Sequence, residues 1–102
     1  MNRKLVVFVP PEALDEVRDA LFEAGAGRIG AYERCSWYTE GMGTFLGGEE
    51  TAPAVGDPGR QERVREFRLE TVFPAELHEQ VIAAVRRSHP YEEPAFDVYE
   101  LL

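Results

Sequence analysis

The residue types best suited to chemistry are concentrated in one short run, Ser88-His89-Pro90-Tyr91-Glu92-Glu93-Pro94. The run combines a phenol and two carboxylates with His89, one of only two histidines in the chain. Its two prolines fix their own φ and push the residues before them toward extended geometry, so a helix cannot continue through it. Rigid placement lowers the entropy cost of presenting polar groups to a ligand. We therefore predict that His89, Tyr91, Glu92 and Glu93 bind a ligand or contact a neighbouring subunit.

A divalent metal ion is one candidate ligand, and no other cofactor is predicted. Imidazole, carboxylate and thiolate groups suit zinc or a similar ion. The candidate metal ligands are His89, Glu92, Glu93 and Cys35. No second histidine follows at helical spacing, so the site needs further ligands from elsewhere in the fold or from another subunit. The alternative is a rigid joint between a helix and a strand, with a hydrogen-bonded histidine and solvated glutamates.

A second candidate region follows the Gly- and Pro-rich loop 47–60. Arg60 and Glu62 are candidate ligand-binding residues there, because several arginines cluster after the loop in an otherwise acidic chain. These arginines alternate with glutamates, and ion pairs between neighbouring strands are the alternative outcome.

Three glycines, Gly25, Gly27 and Gly30, spell the G-x-G-x-x-G pattern of dinucleotide-binding proteins. That fingerprint must follow a strand and open a helix, whereas this run closes a predicted helix and leads into a strand. The pattern therefore favours a helix C-cap and a tight turn. A backbone nest that holds an anion remains open as an alternative.

An enzyme is the weakest hypothesis for this chain. Cys35 is a weak nucleophile candidate, because no motif places a base beside it and a half-buried strand cysteine usually serves packing. We predict no catalytic residue.

Length, charge and cysteine content limit the kinds of protein that this chain can be. A chain of 102 residues predicts one domain, residues 1–102. The net charge of −8 disfavours binding to nucleic acid and to anionic membranes. A single cysteine cannot form an internal disulfide, which favours the cytoplasm. The early apolar run is too short to span a membrane, and no signal-peptide pattern precedes it.

Hydrophobic patterning predicts two β-α-β units. The predicted strands are Leu5–Val9, Tyr32–Thr39, Gln61–Phe73 and Ala95–Leu101. Helices are predicted to start at Pro11 and Pro74, because proline suits a first helical turn and apolar stripes at helical spacing follow. Gly41-Met42-Gly43 is predicted to be a turn, with Thr44-Phe45-Leu46 pairing back as a small extra hairpin.

The two halves repeat one another at an offset of 63 residues, matching Pro11 with Pro74 and Leu14 with Leu77. This duplication predicts an α+β, ferredoxin-like fold: a four-stranded antiparallel sheet with both helices on one face. The other face then meets water or a partner. Its candidate aromatic residues are Trp37, Tyr38, Phe45, Tyr91 and Tyr99.

Several segments together resemble the small domain inserted in many bacterial NIF3-like (YqfO-type) proteins. They are residues 25–32, Cys35-Ser36-Trp37, Val55-Gly56, residues 60–64 and His89-Pro90-Tyr91-Glu92-Glu93-Pro94-Ala95. The resemblance covers nearly the whole chain, here as a domain on its own. It implies a fold similar to CutA and the PII signalling proteins, which assemble as trimers. The dinuclear metal site of the full-length family belongs to its flanking domains, so neither that site nor a hydrolase activity is carried over.

Pattern and resemblance together predict a PII/CutA-like binding module that forms a homo-oligomer, with a trimer favoured. Its small ligand or divalent metal ion would lie in a cleft between subunits. The alternative is a regulatory or structural module that contacts another protein through the loop 47–60.

Overall fold

The chain alternates strands and helices in two similar halves. A computed structural model describes residues 1–50 and 56–102. Its strands are β1 (Asn2–Val9), β2 (Trp37–Leu46), β3 (Gln61–Pro74) and β4 (Phe96–Glu100), and its helices are α1 (Leu14–Glu23) and α2 (His78–Ser88). Val55 and the middle of the loop 47–60 lie outside the described residues. In the described part of the chain, no helix is long and apolar enough to cross a membrane.

The four strands form one antiparallel sheet in the order β2-β3-β1-β4. The central strand β1 lies between β3 and β4, and β2 extends the sheet beyond β3. This order confirms the predicted ferredoxin-like arrangement.

The core lies between one face of the sheet and the two helices. Alternate residues of β1, namely Leu5, Val7 and Val9, are fully buried there, as a strand with a period of two requires. They join Val17 of α1 and Val81 of α2 in a single apolar cluster. Both helices therefore cover the same face.

Each helix starts in the same way. Pro10 and Pro74 are both extended, with ψ of 149° and 142°, and each precedes a short 3₁₀ turn that leads into the α-helix. Val17 of α1 and Val81 of α2 are both buried and are 64 residues apart in the sequence. Pro10 and Pro74 are separated by the same number of residues. The predicted offset of 63 is therefore wrong by one residue, because it aligned the second proline of the first pair with Pro74.

Strand β2 begins five residues later than predicted, at Trp37 instead of Tyr32. The predicted turn at Gly41-Met42-Gly43 is wrong, because these residues continue β2 and pair with residues 64–66 of β3. The predicted small hairpin is therefore one long strand. Cys35 precedes the strand and does not lie within it.

The helix-free face carries three of the five predicted aromatic residues. Trp37 and Phe45 lie on it, in register with Glu70 and Glu62 of β3, and Tyr99 lies opposite Lys4. Tyr38 instead lies on the helix side, where its ring meets the Phe67 ring at 5.4 Å. The alternation of side chains along β2 puts neighbouring residues on opposite faces, so Trp37 and Tyr38 cannot share one. Tyr91 lies outside the sheet strands.

Candidate functional site

His89 lies at the junction of α2 with the turn that leads to β4, and it is only 6% exposed. Its Nε2 lies 2.6 Å from the carbonyl oxygen of Phe8, at the end of β1. Its Nδ1 lies 3.1 Å from the backbone nitrogen of Tyr91. A carbonyl can only accept a hydrogen bond and a backbone N–H can only donate one, so the proton is on Nε2 and the ring is neutral. Both ring nitrogens are thus engaged within the chain.

Burial lowers the pKa of His89 below its ordinary value. The hydrogen bond to Phe8 and the charge of Glu66 oppose this effect but are smaller. A carboxylate of Glu92 or Glu93 beside the ring would raise the pKa of His89, because it would favour the charged imidazolium. The carboxylate that acts on the ring is instead Glu66 of β3.

Tyr91 packs its ring against His89, with centroids 4.9 Å apart. Its hydroxyl oxygen is buried and has no partner of hydrogen-bond geometry among the described residues. Burial, followed by the nearby carboxylates of Glu66 and Glu12, raises the pKa of Tyr91 to about 12. Glu66 therefore acts on Tyr91 through its charge.

Glu66 was not predicted as part of this site. Its carboxylate lies against the backbone of Gly43 in β2, where a Cβ would come within 2.7 Å of the carboxyl carbon. The one signal in the sequence is the pair Gly41 and Gly43, since glycine inside a strand often marks a close approach of another group.

The predicted metal ligands do not gather within one chain. Across residues 1–50 and 56–102, no group of three or more His, Cys, Asp and Glu side chains is placed to hold a metal ion. Glu92 and Glu93 are exposed in the turn. Cys35 instead belongs to the loop after α1, where its N–H donates to Gly27 and its carbonyl accepts from the Thr71 hydroxyl. A metal site therefore stays a prediction that requires ligands from a second subunit.

Arg60 and Glu62 lie together at the start of β3. The Arg60 Nε is 3.2 Å from the Glu62 carboxylate, which is only 17% exposed. Farther along, Arg65 pairs across strands with Glu40 at 2.7 Å. Pairing between neighbouring strands is thus confirmed for Arg65, whereas Arg60 pairs with a residue two positions along its own chain. A ligand role for Arg60 and Glu62 stays a prediction.

The glycine pattern closes α1. Gly25 has φ of +104°, its N–H donates to Phe22, and the Ala26 N–H donates to Leu21. This is the hydrogen-bond pattern of a Schellman C-cap. The Gly27 N–H donates to Val72 of β3. The predicted C-cap is confirmed, and these three N–H groups are already engaged instead of forming an anion nest.

The outer part of the β2–β3 pair forms an arm, which consists of residues 40–46 and residues 61–66. No residue of β2 is buried, and burial in β3 begins only at Leu69. Met42 and Leu46, both on the arm, are 61% and 64% exposed. The described chain is correspondingly elongated, at 46 × 24 × 24 Å.

Comparison with known proteins finds similarity to one part of several longer proteins. No family model matches the chain. A Mycobacterium tuberculosis protein named GTP cyclohydrolase 1 type 2 homolog is 52% identical over 99 residues, which are 97% of this chain and 26% of that protein. A Bacillus cereus protein related to NIF3 has a solved structure that is 49% identical, with a TM-score of 0.85, over 98% of this chain and 25% of its own.

More distant structures share the fold alone. CutA of Archaeoglobus fulgidus has a TM-score of 0.73 at 17% identity and covers 99% of this chain and 84% of its own. Bacillus subtilis GlnK has a TM-score of 0.63 at 16% identity, over 98% of this chain and 84% of its own. The predicted resemblance to a domain of NIF3-like proteins with a CutA- and PII-like fold is confirmed. The chain spans about a quarter of the curated relatives it matches.

Proposed function

We propose that the protein is a homo-oligomeric binding module, with a trimer favoured, that takes a small ligand or a divalent cation in a cleft between subunits. The cleft would be formed where the turn 88–94 of one subunit meets the arm of another. The candidate contacts are Tyr91, Glu92 and Glu93 in the turn, which His89 supports from beneath, and Arg60 and Glu62 at the base of the loop. We assign no catalytic residue.

The observation that carries this proposal is the arm. A two-stranded ribbon is marginally stable in water unless further strands or a helix cover it. This arm exposes Met42 and Leu46 on one face, and Trp37 of the same strand is 58% exposed on the other. Closed association of identical chains is the usual way in which such a surface is covered.

The shape of the chain agrees with association. Its radius of gyration is 14.3 Å, whereas a compact domain of this length has a radius of gyration of about 13 Å. The excess reflects the projecting arm, which becomes part of a compact body only when another surface packs on it.

The charge of the chain favours a cationic guest. The net charge is −8, and Glu92 and Glu93 are exposed in a turn restricted by two prolines. Because both His89 nitrogens are engaged, the imidazole supports the turn, and oxygen atoms supply the ligands. Carboxylate oxygens suit hard divalent cations, or the ammonium and guanidinium groups of a partner.

Two charged substitutions on exposed apolar residues test the interface. Met42→Glu and Leu46→Glu should weaken association, because each places a carboxylate on the surface proposed to be buried. Ile29→Glu is the matched control, since Ile29 is 55% exposed but lies in the loop after α1. Sedimentation velocity would measure the three variants beside the wild type. Equal effects of all three substitutions would contradict the assignment of the interface to the arm.

Thermal melting with zinc, magnesium and inorganic phosphate tests the cleft. The proposal expects at least one cation to raise the melting temperature of the oligomer. The double variant Glu92→Ala and Glu93→Ala should lose that increase. If the cation raises the melting temperature of the double variant as much as that of the wild type, these glutamates are not part of the site.

A further inference from the structure

The contact between Glu66 and Gly43 occurs between the two strands of the arm. In the register of the sheet, Glu66 lies directly opposite Gly41 and diagonal to Gly43, all on the helix-free face. A Cβ on Gly43 would overlap the Glu66 carboxylate, whereas a Cβ on Gly41 would meet no atom within 4 Å. The carboxylate therefore leans toward Gly43 and depends on the missing side chain there.

The same carboxylate faces the turn that follows α2. The ring of Tyr91 packs on His89, and after burial the charge of Glu66 has the largest effect on the pKa of Tyr91. His89 in turn is bound to the backbone of β1 through Phe8. The backbone of β1, His89 and Tyr91 are thus linked by direct contacts, Tyr91 and Glu66 by an electrostatic interaction, and Glu66 and Gly43 by a direct contact.

We propose that Glu66, seated over Gly43 and facing Tyr91, is a positioning residue that fixes the orientation of the arm relative to the turn 88–94 and thereby sets how tightly the subunits associate. The part that concerns association rests on the proposed function. The part that concerns orientation is a property of the single chain.

Ribbon geometry is the physical reason why this contact matters. Two-stranded ribbons twist more than strands in the middle of a sheet. A contact beyond the helix-covered core restricts that twist. An arm that is already oriented loses less conformational entropy when a second subunit packs on it, so the association is tighter.

The two glycines provide a matched pair of variants. Gly43→Ala should displace Glu66 without unfolding the chain, because the displaced group is the end of a flexible side chain and Gly43 does not require positive φ. Gly41→Ala introduces the same methyl group on the same strand and face into open space. Glu66→Ala removes the carboxylate altogether.

The first measurement follows Tyr91 and the arm in each variant by NMR. Gly43→Ala and Glu66→Ala should lower the pKa of Tyr91 from about 12 toward its ordinary value, and should change the residual dipolar couplings of residues 40–46. Gly41→Ala should change neither. A Tyr91 titration that is unaltered in Gly43→Ala, or arm couplings that are unaltered in Glu66→Ala, would overturn the proposal.

The second measurement is the dissociation constant of the oligomer, from sedimentation equilibrium. Gly43→Ala and Glu66→Ala should raise it several-fold, and Gly41→Ala should not. Equal weakening by Gly43→Ala and Gly41→Ala would identify a steric effect at the interface and would overturn the link between Glu66 and association. A monomeric wild type would instead overturn the proposed function, and the orientation of the arm would still be judged by the couplings.

Discussion

His89 donates a hydrogen bond from Nε2 to the carbonyl oxygen of Phe8 at 2.6 Å, across 81 residues of sequence. The bond ties the end of α2 to the end of the central strand, and the N–H of Tyr91 closes the other side of the ring. The imidazole of His89 therefore stabilises the conformation of the turn. For it to bind a metal ion, one of these two hydrogen bonds must break.

Replacing His89 with alanine should lower the free energy of unfolding by about 2–4 kcal/mol, because a buried carbonyl loses its partner and a cavity forms. Urea unfolding measures the change. Glu93→Ala is the control, since Glu93 is exposed in the same turn and its loss should have little effect. Equal stability losses in the two variants would contradict the structural role of the imidazole.

His89→Ala also distinguishes a turn that only joins α2 to β4 from a turn that forms part of a ligand site. If the turn is only a joint, the oligomeric mass, the metal content and ligand-induced melting shifts stay at wild-type values in the variant. The proposed cleft predicts that at least one of the three changes, because the turn that presents Tyr91 and Glu92 loses its support. If none of the three changes, His89 has a structural role only.

The stability contributed by His89 should depend on pH in a defined direction. Burial lowers its pKa in the folded chain, whereas the unfolded chain retains the ordinary value of 6.5. Above that value the ring is neutral in both states and the contribution is complete. As the pH falls below it, the unfolded chain takes up the proton first, and the contribution is lost as the pH passes through the folded pKa.

The pH effect is measured by urea unfolding of the wild type and of His89→Ala from neutral to mildly acidic pH. The wild type should lose more stability than the variant over that range. His78 is present in both proteins, so the difference isolates His89. Parallel losses in the two proteins would contradict the cause assigned to the lowered pKa.

Gly25 should tolerate no side chain. Its φ of +104° is a conformation that L-residues disfavour, and a Cβ would lie 2.6 Å from Cδ1 of Leu77. Gly25→Ala should therefore lower the free energy of unfolding by at least about 1–2 kcal/mol. Gly41→Ala, in open space on β2, should be neutral or stabilising by about 0.5–1 kcal/mol. Thermal or urea unfolding compares the two, and a loss in Gly25→Ala no greater than in Gly41→Ala would contradict the C-cap.

Periodicity predicted most of the fold because local patterns decided it. The alternation from Arg65 to Val72 in β3 and the apolar stripes of both helices specify which faces are buried, and the structure confirms them. Strand β2 was misplaced because Gly41-Met42-Gly43 has the composition of a turn. In the structure, pairing with β3 overrides that preference, and Gly43 makes room for Glu66.

The site was predicted only in part, because its partners are distant in sequence. The run from His89 to Glu93 was recognised by residue type and by its prolines. The carbonyl of Phe8 carries no sequence signal, since every residue has one. Glu66 is 25 residues from Tyr91 and sits among other alternating charges, so only the tertiary fold distinguishes it from Glu62 and Glu70.

Trp37 should report directly on subunit contact. It is the only tryptophan in the chain, and it is 58% exposed on the helix-free face. Burial in an interface should shift its emission to shorter wavelengths, and dilution below the dissociation constant should reverse the shift. A spectrum that is independent of concentration, while the mass changes, would exclude the surface around Trp37 from the interface.

The most direct test of the account is the mass of the wild-type protein in solution, measured by light scattering over a range of micromolar concentrations. The account predicts a mass of at least two chains of 11.5 kDa each, with three chains favoured. A mass of 11.5 kDa at every micromolar concentration would mean that the arm stays uncovered. That result would contradict the proposal that this protein works as a homo-oligomer.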